Sequence, residues 1–157
     1  MINPDVFVVS PMKRATETIM LGFQPKMKQA PNIPIIAHEG CREQCGVFMC
    51  DKRSTKSEYI EMFPSIDYTH IISEEDSIWK EKNRENMLEM AYRAHDFLNW
   101  LFEGISSDYN EIVVGTHSAW LMAVFGVTMD IDKGSEHLKT MFATGECRSV
   151  IVTRTKS

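Results

Sequence analysis

Two stretches of the sequence combine a strand pattern with a side chain that could hold an anion. Residues 8–15 (VVSPMKRA) carry Arg14, and residues 113–118 (VVGTHS) carry His117. Each stretch begins as a short β-branched run and turns into a helical pattern at a serine, a residue type that favours helix starts. Ligands of open α/β sheets bind beyond the carboxyl ends of the strands, and helix N-termini favour anions. An arginine at one such point and a histidine at another predict a phosphate site.

Both side chains also have an ordinary structural interpretation. Arg14 could be a surface residue in the first turn of a helix. The helix dipole disfavours a cation at that position, and a nearby anion would remove the conflict, so the position favours a binding role. His117 could be a core histidine packed beneath the sheet, but its place at the end of a strand favours a site.

The order of the elements around these stretches is typical of an α/β fold. Strand and helix patterns alternate along most of the chain, and this alternation predicts a largely parallel or mixed sheet with helices on both faces. The long irregular stretch from residue 38 to 76 is expected to be functional or disordered, and its regularly placed apolar residues favour order. We predict strands at 5–10, 33–37, 111–116 and 148–153, helices at 11–21, 57–62, 84–102 and 119–125, and a loop at 24–32.

The composition is that of one globular domain. The chain has 157 residues, of which 43% are apolar and 25% charged. A net charge of −5 argues against a nucleic-acid surface. No apolar run is long enough to span a membrane, and the N-terminus lacks a signal-peptide pattern. We therefore expect a single domain over residues 1–157 in the cytoplasm, with neither nucleic acid nor a membrane as partner.

Four cysteines raise the question of a metal site. Cys41 and Cys45 are spaced loosely like a zinc-binding pair, and Cys50 and Cys147 could complete the set. A second tight pair is absent, so we interpret all four as reduced thiols and expect neither a metal nor a cofactor. His95 has no ligating partner at helical spacing and is expected on a helix surface.

Several segments in the same order resemble the histidine phosphatase superfamily, whose fold is called phosphoglycerate mutase-like. Residues 10–18 (SPMKRATET) resemble its Ser-Pro-x-x-Arg-Ala-x-x-Thr corner, and residues 113–118 resemble its second-histidine corner. Residues 41–46 (CREQCG) are similar to the segment with the family's acidic catalytic residue. Residues 146–149 (ECRS) are similar to the start of the closing strand, and the run from 47 to 67 resembles a eukaryotic subgroup. The resemblance covers nearly the whole chain.

The family's nucleophile is missing from these 157 residues. In the family a histidine in an Arg-His-Gly or Arg-His-Ala motif on the first strand takes up the phosphoryl group. None of the five histidines here follows an arginine. The resemblance therefore implies that the chain starts at the family's second strand and lacks the N-terminal strand, the first helix and the nucleophile.

The resemblance also implies roles for individual residues. Arg14 would clamp the phosphoryl oxygens, His117 would hydrogen-bond to them, and Glu43 would protonate the leaving oxygen. Glu39 could take the acid role instead, and either glutamate could simply pair with Arg42 at the surface. The residues expected to contact or steer an anionic substrate are Ser10, Lys13, Arg42, Arg53 and Ser118.

Two functions follow from this resemblance. The first is a phosphatase, or less readily a mutase, that acts on a small phosphoester through a phosphohistidine, with this chain inactive because it lacks the nucleophile. The second is a non-catalytic paralogue that binds phosphate, a phosphorylated ligand or a protein. The loss of an inner strand would expose a sheet edge, and exposed edges pair with other chains, so the second function predicts a homodimer or another complex.

Overall fold

A computed structural model describes residues 2–105 and 108–154. At its centre lie three parallel strands, β1 (Val6–Val9), β2 (Ile35–Ala37) and β3 (Ile112–Gly115). They are arranged in the order β2-β1-β3, and Val8 of β1 lies opposite Ile36 on one side and Val114 on the other. The prediction of an α/β fold with a parallel sheet is confirmed.

Five α-helices surround the sheet within the described residues. A π-helical turn extends α4 over Leu101–Ile105, and another extends α5 over Val124–Thr128. Short 3₁₀ turns occur at Glu39–Cys41, Met49–Asp51 and Glu136–Lys139. The α-helices are α1 (Lys13–Gly22), α2 (Gln24–Gln29), α3 (Lys56–Met62), α4 (Met87–Trp100) and α5 (Ser118–Ala123).

The core consists of two layers, one on each face of the sheet. Successive side chains of a strand point to opposite faces. Val6 and Val8 accordingly pack with α4 and α5, whereas Phe7 and Val9 pack with α1 and α3. Helices therefore cover both faces, and β1 reads as a continuous apolar run because both of its faces are buried.

Local capping explains where two of the helices begin. Thr55 caps α3, and Asn86 caps α4. In each case a glutamate three residues later bonds back to the cap and completes a capping box. In α4 the buried stripe includes Met90, Ala94 and Phe97. These positions repeat every three to four residues, so one face of the helix is apolar and packs on the sheet.

Three details differ from the sequence predictions. Residues 24–32 were expected to be a loop, but α2 forms there because Pro25 lies in its first turn, where a proline costs no hydrogen bond. The predicted strand at 148–153 is irregular, and Ile151 is 95% exposed. A strand requires a neighbour, and no described strand lies beside this segment. Neither serine expected at a helix start is a helix cap, because the cap of α1 is Met12 and the cap of α5 is His117, with Ser118 as the first residue of α5.

Within residues 2–105 and 108–154, none of the helices has the length and apolar character needed to cross a membrane. His95 is exposed on α4, as expected.

Candidate anion-binding site

A groove of about 750 Å³ follows the edge of β3 that faces away from β1. One wall is β3 itself, a second comes from α1, and a third comes from the irregular segment of residues 142–150. No strand within the described part of the chain pairs with this edge. We call this space the β3 groove. Of the residues predicted from the sequence, Arg14, Glu43, His117 and Ser118 line it.

Gly115 allows the two predicted corners to approach each other. A Cβ atom at Gly115 would lie 2.4 Å from Cγ1 of Ile19, so a larger residue would push α1 away from β3. The close contact keeps the start of α1, with Arg14, near the end of β3, with His117. Both corners therefore open into the same groove.

His117 is buried and neutral. Its Nε2 atom lies 2.8 Å from Oγ of Ser10, and 7% of the residue is exposed. The pKa of His117 is lowered to about 3, mainly by burial and in smaller part by the nearby positive charges of Arg14, Arg42 and Arg93. At neutral pH the ring therefore carries one proton, on one of its two nitrogens.

Arg14 lies at the rim of the β3 groove and is held by the 3₁₀ turn at Met49–Asp51. Its Nη1 atom donates to the carbonyl oxygen of Cys50 at 2.6 Å, and Nη2 donates to Oδ1 of Asp51 at 3.1 Å. Its side chain remains 45% exposed. The Asp51 carboxylate is thus an anion beside the cation at the start of α1, a pairing that was not visible in the sequence because the two residues lie 37 positions apart.

The two candidate acids have different surroundings. Glu43 lines the β3 groove and forms no ion pair with another described residue, and its Oε1 accepts a hydrogen bond from the backbone N–H of Gln44 at 3.0 Å. Glu39 accepts hydrogen bonds from Arg42 at 2.9 Å and from Arg53 at 2.7 Å. Glu39 is therefore the glutamate that pairs with Arg42, but the pairing is largely buried instead of lying at the surface.

Arg42 and Arg53 lie outside the β3 groove and hold the irregular segment together. Arg42 donates to both carboxylate oxygens of Asp76, at 2.8 and 2.7 Å, and neither side chain is exposed. The arginine holds the pKa of Asp76 well below its usual range. Arg53 donates to Glu39 and to the backbone carbonyls of Ser54, Ser73, Glu74 and Glu75.

The other two predicted substrate contacts are also outside the groove lining. Lys13 is exposed and lies 3.8 Å from Glu17, one helical turn away. Ser10 is fully buried beneath His117.

Sequence reasoning missed Arg93 and Glu85, which fix the backbone around Glu43. Arg93 on α4 donates to the carbonyl oxygens of Gly40 and Arg42 at 3.0 Å and to that of Glu43 at 3.1 Å. It also pairs with Glu85 at 2.6 Å. A charged residue beside the apolar stripe of a helix is ordinarily solvated, so no local signal marks Arg93.

The cysteines form no disulfide. Cys41 and Cys45 are buried, whereas Cys50 and Cys147 are exposed. Burial raises the pKa of Cys45 to about 11. Among the described residues no three His, Cys, Asp or Glu side chains converge as a metal site would require.

A parallel sheet flanked by helices defines an α/β fold, and Arg14 and His117 lie beyond the ends of two of its strands. The family model for the histidine phosphatase superfamily (branch 1) matches residues 1–155. The chain belongs to this superfamily, as the sequence motifs predicted.

Curated relatives support the same assignment. The chain is 37% identical over 124 residues to phosphoglycerate mutase-like protein 1 of Arabidopsis thaliana, a match that covers 76% of this chain and 42% of that protein. It is 28% identical to a phosphoglycerate mutase-like protein of the same plant, over 94% of this chain and 63% of the relative. It is also 28% identical to the probable phosphoglycerate mutase PMU1 of Saccharomyces cerevisiae, over 77% of this chain and 46% of that protein. The chain thus spans about half the length of these relatives, and no solved structure matches it.

Proposed function

We propose that this chain forms the anion-holding part of a phosphatase that acts on a small phosphoester through a phosphohistidine. The observation that carries the proposal is the convergence of Arg14, Glu43 and His117, from three separate parts of the chain, on one groove. The nucleophilic histidine belongs to a segment outside these 157 residues, since no Arg-His pair occurs within them.

In this proposal each of the three residues acts on a different part of the reaction. Arg14 and His117 hold the phosphoryl oxygens, and the charge of the transferring group makes such donors the main source of stabilisation. The nucleophilic nitrogen attacks phosphorus, the bond to the leaving oxygen breaks, and Glu43 donates its proton to that oxygen. Water then attacks phosphorus, the phosphorus–nitrogen bond breaks, and the Glu43 carboxylate accepts a proton from the water.

The β3 groove supports the proposal that a further strand belongs beside β3. The free edge of β3 forms one wall of the groove. The segment at 148–153, which has a strand pattern, adjoins the wall formed by residues 142–150. The indole Nε1 of Trp120 is buried at the groove lining and has no acceptor among the described residues. A strand placed there would supply backbone acceptors and would end near Arg14 and His117.

The remaining residues predicted to contact the substrate differ in whether they line the groove. Ser118 lies in the first turn of α5 and lines the groove, so we propose that it contacts the substrate. Arg42 and Arg53 are proposed to act through the loop that they hold, because neither reaches the groove.

Anion binding by the chain tests this proposal directly. Phosphate and orthovanadate should raise the unfolding temperature in a saturable way, with about 2.7 kcal/mol of added stability at a hundred times the dissociation constant. Arg14→Ala should remove most of this effect. Arg154→Ala is the matched control, because Arg154 is an exposed arginine that pairs with Glu103.

Hydrolysis of p-nitrophenyl phosphate tests the missing nucleophile. The chain alone should show no turnover and no phosphohistidine. Robust turnover with a phosphorylated histidine in this chain would contradict the proposal, as would the absence of any anion effect on unfolding.

A non-catalytic binding function is the second candidate, and the open edge of β3 favours it. Exposed strand edges add strands from other chains. This function predicts a homodimer or a complex, which light scattering coupled to gel filtration would detect. A stable monomer that binds neither phosphate nor a phosphoester would contradict it.

A further inference from the structure

The hydroxyl of Ser10 lies at the meeting point of the two corners that form the candidate site. Ser10 follows β1, and its backbone N–H donates to the carbonyl oxygen of Gly115 at the end of β3, at 2.8 Å. Its side chain is fully buried, and its Oγ atom lies 2.8 Å from Nε2 of His117. Within the described chain this is the only hydrogen bond of that hydroxyl.

Burial decides which atom is the donor in this bond. If Nε2 carried the proton, it would donate to Oγ, and the Ser10 hydroxyl hydrogen would be left buried without an acceptor. Unsatisfied buried donors are costly. If the hydroxyl donates to Nε2 instead, its hydrogen is used and only oxygen lone pairs are left. The second arrangement is therefore favoured.

The proton of the neutral ring must then lie on Nδ1. His117 lines the β3 groove, and no described residue bonds to its Nδ1 atom. Its pKa of about 3 keeps the ring neutral at pH 7, so only one nitrogen can donate there. The donor nitrogen is thus the one left free to meet a ligand.

We propose that Ser10 is a positioning residue, whose buried hydroxyl holds His117 in the Nδ1–H tautomer and so presents an N–H donor to an anion in the β3 groove. The ligand part of this inference rests on the proposed function. It gives Ser10 an indirect role instead of the direct substrate contact expected from the sequence. The tautomer itself depends only on the Ser10–His117 bond.

Long-range ¹⁵N–¹H NMR spectra report histidine tautomers directly, and this chain contains an internal reference. Nδ1 of His38 accepts a hydrogen bond from the backbone N–H of Gly40 at 3.0 Å, so His38 must be the Nε2–H tautomer. At pH 7 we expect opposite tautomers for His117 and His38, with the signals assigned by His117→Gln and His38→Gln. An Nε2–H tautomer at His117 would overturn the proposal.

Variants at Ser10 separate positioning from general stability. Ser10→Ala should shift His117 toward a tautomer mixture and weaken phosphate binding by up to about tenfold, the value of one neutral hydrogen bond. Ser10→Thr keeps the hydroxyl and should restore both. Ser77→Ala removes an exposed hydroxyl elsewhere and serves as the control. An unchanged His117 tautomer in folded Ser10→Ala would overturn the role of Ser10.

The two proposals can fail separately. If the Nδ1–H tautomer is found but phosphate does not bind, the anion site is wrong and the Ser10–His117 assignment stands. If phosphate binds but His117 is the Nε2–H tautomer, the anion site stands and the role of Ser10 is wrong. Should Ser10→Ala fail to fold, the wild-type spectrum still decides the proposal, because an Nε2–H tautomer at His117 overturns it.

Discussion

The two sides of the sheet differ in how completely they are built. On the β2 side, β1 is at most 1% exposed, and buried arginines pair with Asp76 and Glu39 within the irregular segment. On the β3 side, Ile112, Val113 and Val114 are only half-buried, one strand edge is open, and Ile151 is almost fully exposed. The candidate site lies on the β3 side, in the β3 groove, and takes Glu43 from the irregular segment. The β2 side is packed and paired within the described residues, whereas the β3 side leaves an open groove.

Breaking the buried ion pair should have the largest effect on stability. Asp76→Asn removes the fully buried carboxylate that pairs with both guanidinium nitrogens of Arg42 and leaves Glu39 as the remaining anion, and removing one member of a buried pair typically costs about 3–5 kcal/mol. The free energy of unfolding in urea would measure this loss. Glu103→Gln breaks the exposed pair with Arg154 and should cost below about 1 kcal/mol. Equal costs would contradict the contrast between the two sides.

Truncation of one valine on each side of the sheet should cost different amounts of stability. Val8→Ala removes two buried methyl groups from the core and should cost about 2 kcal/mol. Val113→Ala on β3 should cost below about 1 kcal/mol because that side chain is half-buried. If a further strand fills the groove in a longer form of the protein, the cost of Val113→Ala should rise there. A Val113 cost as large as that of Val8 in this chain would mean that the groove is already filled.

Substitution of Glu39 should mainly change stability, whereas substitution of Glu43 should mainly change phosphate binding. Glu39→Gln weakens the support of two buried arginines and should cost about 1–2 kcal/mol, whereas Glu43→Gln should change stability by less than about 0.5 kcal/mol. Removing the charge of Glu43 from the groove should also tighten phosphate binding, measured by calorimetry. Tighter phosphate binding in Glu39→Gln and not in Glu43→Gln would mean that Glu39 is the glutamate that faces the bound anion.

The pH dependence of stability should show that His117 and His38 are neutral in the folded protein. The folded-state pKa is about 3 for His117 and about 4 for His38, in both cases mainly through burial, against an ordinary 6.5. Between these values the unfolded state binds more protons, so stability is full above pH 6.5 and falls as the pH drops. Between pH 7 and 5.5 we expect a loss of about 1 kcal/mol per histidine.

His117→Gln should remove about half of this loss of stability between pH 7 and 5.5. The range above pH 5.5 avoids Asp76, whose lowered pKa makes it lose its contribution only below about pH 4. If the loss of stability is the same in His117→Gln as in the wild type, the ring of His117 is already exposed to water in the folded protein.

Local patterns predicted the parts of the fold that local physics decides. The runs around Val8 and Val114 are β-branched and end in helix-starting residues, so their strands were placed within two residues. Residues 148–153 have the same kind of pattern and form no strand, because a strand also needs a partner and the pattern cannot supply one.

The sequence by itself determined the family and the positions of Arg14 and His117 beyond two strand ends, because strand periodicity and helix starts depend on neighbouring residues. Only the tertiary structure decided that Glu43 and not Glu39 faces the groove, that Arg42 and Arg53 hold a loop, and that Ser10 bonds to His117. Those outcomes depend on charges and hydroxyls brought together from distant parts of the chain. Residue types show that such side chains can form bonds, and the packing of the sheet and helices selects their partners.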